Sequence, residues 1–105
     1  APTQVAYCGT KGAISMLGKA LGSVLGNNNI RVNVIAPGAV DTNMAAPMFE
    51  DPAVVKYYMD RIALHRIGKP SELAGAIAFL LSDDASYVTS ATLLVDAGFI
   101  VNAEL

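Results

Sequence analysis

Apolar positions recur at helical spacing along residues 4–26, through Val5, Ala13, Met16, Leu17, Ala20, Leu21, Val24 and Leu25, and predict a helix there. Five glycines, at 9, 12, 18, 22 and 26, interrupt the pattern. Each costs a helix interior about 1 kcal/mol relative to alanine, so tertiary packing has to hold the segment together. Small residues at this spacing predict a helix buried on two faces, against a sheet and against a neighbouring helix or subunit. Gly26-Asn27-Asn28-Asn29 ends it. The near-continuous apolar run at 30–36 reads as a parallel strand covered on both faces, with Pro37-Gly38 as its stop. Residues 38–50 read as a loop bearing Met44, Met48 and Phe49. A short helix is expected over 52–63, with Pro52 near its start. Arg66-Ile67-Gly68-Lys69 connects it to a helix from Pro70 to about Leu81, whose early Glu72 suits the helix dipole. Residues 82–89 turn, and Thr92-Leu93-Leu94-Val95 form a second strand before Asp96-Ala97-Gly98.

A strand, a long helical connection and another apolar strand make a βαβ unit with parallel strands and a right-handed crossover. Two strands do not make an independent parallel sheet, so the unit is expected to belong to a larger one. Composition points the same way. Counted with its nine glycines and without its four tyrosines, the apolar share of the 105 residues exceeds the roughly 45–50% of ordinary soluble domains. A chain of this length holds one domain at most and has little interior, so part of this surface is expected to be covered by further sequence or partner subunits.

Several functions are excluded. The longest stretches without Asp, Glu, Lys or Arg are 11 residues, at 20–30 and 85–95, too short for a membrane-spanning helix. The net charge of −2 is scattered, with no basic stripe for nucleic acid or lipid. One cysteine, Cys8, leaves no intrachain disulfide and fits a reducing, cytoplasmic compartment; it is read as a packing residue. With one histidine, His65, a zinc site is not expected.

The chemistry-bearing feature is Tyr7 with Lys11, four residues apart and so on one face of the predicted helix. A phenol with pKa near 10 is a poor base at neutral pH. An ammonium within about 4–6 Å stabilises the phenolate and lowers that value. Such a tyrosine takes a hydroxyl proton as hydride leaves the same carbon, and returns it in the reverse direction. Tyr-x-x-x-Lys alone is common by chance. It gains weight from the Pro37-Gly38 turn and the hydroxyl of Thr42, at the carboxyl end of a parallel strand where open α/β sheets bind ligands.

These residues, with Arg31-Val32-Asn33-Val34-Ile35-Ala36-Pro37-Gly38-x-Val40-x-Thr42, Arg66-Ile67-Gly68-Lys69-Pro70-Ser71-Glu72 and Leu93-Leu94-Val95-Asp96-Ala97-Gly98, closely resemble the C-terminal half of a short-chain dehydrogenase/reductase. Ser90 and Ala97 stand where the family commonly has glycine. The resemblance implies an α/β, Rossmann-type doubly wound parallel sheet, of which residues 1–105 supply the last two strands and flanking helices. It implies an NAD- or NADP-dependent oxidoreductase acting on a secondary alcohol, ketone or sugar hemiacetal, in the manner of bacterial sugar or polyol dehydrogenases.

In this reading Tyr7 is the general acid/base. Lys11 lowers its pKa and holds the nicotinamide ribose. Pro37 and Gly38 wall the ring, the Val40 backbone holds its carboxamide, and Thr42 contacts the carboxamide or the diphosphate. Residues 43–63 form a substrate lid lined by Met44, Met48 and Phe49. Gln4 and Asn43 are either polar substrate contacts or solvated residues. The family's phosphate loop and its catalytic serine and asparagine fall upstream of residue 1, so this segment alone is expected to be inactive. A homo-oligomer, dimer or tetramer, is implied. The competing expectation is a non-catalytic relative that uses the fold for binding or oligomerisation.

Overall fold

The glycine-interrupted segment folds as one helix, α1 (Val5–Leu25), in the computed structural model, which describes residues 5–99 apart from the Tyr7 side chain. Among its described residues Gly18 and Gly22 are the buried positions. Gly18 lies against the Val34 side chain. A Cβ on Gly22 would stand 2.8 Å from the Ser90 backbone nitrogen. Ser90 Oγ also donates to the Lys19 carbonyl at 3.1 Å, fastening helix to sheet. Val5, Met16, Leu17 and Val24 lie on the opposite side of the helical wheel and are 57–71% exposed. Within this chain α1 therefore packs along one stripe, and the second face expected to be covered is open. Cys8 is exposed as well, contrary to its reading as a packing residue.

The first strand differs from the expected 30–36: β1 is Val34–Pro37. It pairs in parallel with β2 (Thr92–Val95), in register from Val34 with Thr92 to Pro37 with Val95. Residues 30–33 run on beside 88–91, where side chains replace some of the ladder bonds. Val32 N–H donates to Thr89 Oγ1 at 3.1 Å, and Val32 carbonyl accepts Ser90 N–H at 2.8 Å. The Asn33 carboxamide donates to Val88 carbonyl at 2.9 Å and accepts Ala91 N–H at 3.1 Å.

Pro37 belongs to the strand and does not end it. Gly38 N–H donates to Val95 carbonyl at 3.0 Å, so pairing continues past the proline. Consecutive peptide groups alternate sides, which leaves the ring nitrogen of Pro37 facing away from β2, so the pairing with β2 needs no donor from it.

Two helices fill the connection. Asp51 caps α2 (Pro52–Arg61), its carboxylate accepting Ala53 N–H at 2.9 Å. The helix ends two residues short of the expected 63 because Ile62 turns extended and goes into the core, where it is 1% exposed. The third helix, α3 (Pro70–Leu81), starts with Glu72 accepting Lys69 N–H at 2.8 Å. Its far end is closed by Arg31, whose guanidinium donates to the carbonyls of Leu80 (2.7 Å), Ser82 (3.1 Å) and Val88 (3.2 Å). Among the described residues Ile62, Leu80 and Ala85 are the buried hydrophobic side chains. No helix among them is long and apolar enough to cross a membrane.

Candidate functional site

Because β1 and β2 run parallel, the segments that leave them emerge at one edge. Gly38 passes directly against Asp96, and a Cβ there would come within 2.7 Å of the Asp96 Cα, so a larger residue requires the backbone to move. Two residues on, Val40 forms a parallel bridge with Gly68. Gly68 N–H donates to Ala39 carbonyl at 3.0 Å, and Asp41 N–H donates to Gly68 carbonyl at 2.9 Å. The bridge thus uses the groups flanking Val40. Its own N–H and C=O point to the other side and make no hydrogen bond among the described residues.

The connector that supplies Gly68 is held by charge. Arg66 donates to both carboxylate oxygens of Glu72, at 2.8 and 2.5 Å. The hydrogen bond from Arg66, followed by that from the Lys69 N–H, lowers the Glu72 pKa from 4.5 to about 2. The same hydrogen bond and charge raise that of Arg66.

Past Val40, Thr42 starts a turn. Its Oγ1 accepts Ala45 N–H at 3.2 Å and its carbonyl accepts Ala46 N–H at 2.8 Å, leaving the hydroxyl proton to donate elsewhere. The turns at 43–47 lead into a short 3-10 turn, Met48–Glu50.

A cleft of about 520 Å3 opens here. One wall is Pro37, Gly38, Val40 and Thr42; a second is Met44, Met48 and Phe49. These are the residues picked from sequence as cofactor wall and lid lining. Asn43 is exposed and lies outside the lining. Lys11 is exposed on α1 and is not part of this cleft. The Tyr7 side chain and Gln4 lie outside the described residues.

Sequence reasoning missed the far wall, where Tyr58 of α2 and Phe99 after β2 join Phe49. The ring centroids of Phe49 and Tyr58 are 5.8 Å apart at 81°, and those of Tyr58 and Phe99 are 5.3 Å apart at 36°. Tyr57 extends the cluster under Arg61, whose guanidinium carbon sits 4.0 Å from its ring centre. Phe99 was within reach of inference: a chain leaving β2 parallel to β1 must emerge beside Pro37-Gly38.

Comparison with known proteins sets this geometry in context. A family model described as "Enoyl-(Acyl carrier protein) reductase" matches residues 1–100. Galactitol 2-dehydrogenase (L-tagatose-forming) of Cereibacter sphaeroides is 43% identical, over 90% of this chain and 37% of its own length. An L-xylulose reductase of Caenorhabditis elegans is 42% identical, over 91% of this chain and 38% of its own. Among solved structures, 4-hydroxyisoleucine dehydrogenase complexed with NADH superposes with a TM-score of 0.88 at 30% identity, over 91% of this chain and 40% of that one. The chain thus spans under two fifths of the length of the curated relatives it matches.

Proposed function

Because the chain belongs to the short-chain dehydrogenase/reductase family, we propose that residues 1–105 form the C-terminal part of one Rossmann-type domain. That domain interconverts a secondary alcohol or sugar hemiacetal and its carbonyl with NAD or NADP, in the cytoplasm and as a homo-oligomer. The observation that carries this reading is the wall of the cleft. Val40 offers an N–H and a C=O side by side, both without partners among the described residues, between Gly38 and the hydroxyl of Thr42. A carboxamide needs one acceptor and one donor, so this edge fits the amide end of a nicotinamide.

When bound, the nicotinamide supplies or accepts the hydride. The chain provides the rest. The Val40 backbone and Thr42 orient the ring from one side, while Pro37 and Gly38 keep that side flat. Tyr7 gives its proton to the carbonyl oxygen as negative charge builds there, and takes it back in the oxidative direction. Lys11, one helical turn along α1, favours the phenolate and donates to ribose hydroxyls.

Replacing Tyr7 with Phe in the full-length protein is expected to lower kcat by about 10²–10⁴-fold while dinucleotide binding is kept, the usual range for a lost general acid/base. Turnover that survives Tyr7→Phe would remove Tyr7 from the acid/base role. Residues 1–105 expressed alone are expected to show no turnover.

A further inference from the structure

We propose that the part of the substrate remote from its reacting carbon is an alkyl or aryl body, held by Phe49, Tyr58 and Phe99, and not the polyol chain of a free sugar. The inference rests on the redox reading above and narrows its substrate class. The three rings come from three separate segments, the 3-10 turn, α2 and the chain after β2, and converge on one wall of the cleft. Met44 and Met48 stand at the lid side, 93% and 42% exposed. Thioether side chains in such a position close readily over an apolar guest.

Two polar side chains along the same cleft are partly engaged by nearby backbone. Thr42 Oγ1 accepts Ala45 N–H, and the Asp96 carboxylate accepts Gly98 N–H at 3.0 Å. Hydroxyls of a polyol pressed against the rings would lose water and meet only the Tyr58 hydroxyl among the three rings, which disfavours them. An alkyl or aryl group loses nothing of the kind and covers ring and thioether surface.

The test compares acetophenone with xylulose in the full-length protein. Acetophenone is expected to have the higher kcat/KM, by 10-fold or more, since single alkyl increments in an apolar pocket discriminate by about 10–200-fold. Phe99→Ala is expected to cut that ratio about 10-fold, with Phe99→Leu retaining most of it. If Phe99→Ala does not fold by circular dichroism, Phe49→Leu is read in its place, with a smaller fall expected. Saturation-transfer NMR reports binding of each compound independently of turnover. Binding of acetophenone over xylulose, lost in the ring variants, supports the inference even if neither compound is turned over; that outcome would count against the redox reading alone. Xylulose preferred by rate or by NMR, or a ratio that no ring variant moves, overturns the inference and leaves the redox reading intact.

Discussion

At the scale of single residues, three side chains sit in the left-handed region outside any helix cap: His65 (φ 54°), Ser90 (φ 59°) and Ala97 (φ 54°). This region costs an L-residue roughly 1–2 kcal/mol. Glycine removes that cost but forfeits about 0.5–1 kcal/mol of unfolded-chain entropy. Ala97→Gly is therefore expected to raise unfolding free energy by up to about 1 kcal/mol in urea titrations. Ser90→Gly should gain nothing, because it also deletes the hydrogen bond to Lys19, worth about 1 kcal/mol.

Glu72 makes a pH prediction. Its folded pKa, about 2, lies below the ordinary 4.5, so its contribution is present above the ordinary value and is lost as pH falls toward 2. Midpoints of wild type and Glu72→Gln should differ at pH 6 and converge at pH 2; a constant gap would show that the pair does not titrate this way.

At this scale, what the sequence made legible was which residues share a cleft. Pro37, Gly38, Val40, Thr42, Met44, Met48 and Phe49 all line one cleft because they sit within thirteen residues of chain. Tyr58 and Phe99 come from segments that only tertiary folding brings there. Their apolar character reads equally well as ordinary core.

Among the elements, α1, α3 and β2 followed from apolar period and proline placement within a residue at each end. The first strand did not. Its apolar run continues through 30–33, and period cannot tell a full backbone ladder from one partly replaced by Asn33 and Thr89 side chains. Nor did sequence reveal Arg31, a charged residue inside that run, as the clamp on the last turn of α3. Arg31 is half-buried and donates to three carbonyls. Arg31→Ala is expected to cost about 2–4 kcal/mol on chemical denaturation, given about 1.5–3 for a charged hydrogen bond and incomplete additivity. Arg31→Lys should recover less than half, since an ammonium lacks the planar fork. Amide exchange at Leu80 and Leu81 should quicken in both variants. Unaltered exchange there would show that α3 closes without the clamp.

For the whole molecule, the imbalance seen in composition is visible as surface. Beyond the open face of α1, Leu81 is 79% exposed and Tyr87 fully so. Apolar area of this kind marks contact surface or, left bare, an aggregation liability. Residues 1–105 alone are expected to self-associate in light scattering and to bind a hydrophobic dye, both falling when Leu17 and Val24 are changed to Glu. A monodisperse monomer that ignores the dye would mean these faces are stable in water.

The proline within β1 carries one more consequence. On the side away from β2, Ile35 still offers an amide proton, but the next outward-facing position, Pro37, has none. A third strand annealing along that margin would be stitched at Ile35 and unstitched one step later. The two would then fork apart at the level where Gly38 begins, leaving a gap at the rim of the sheet.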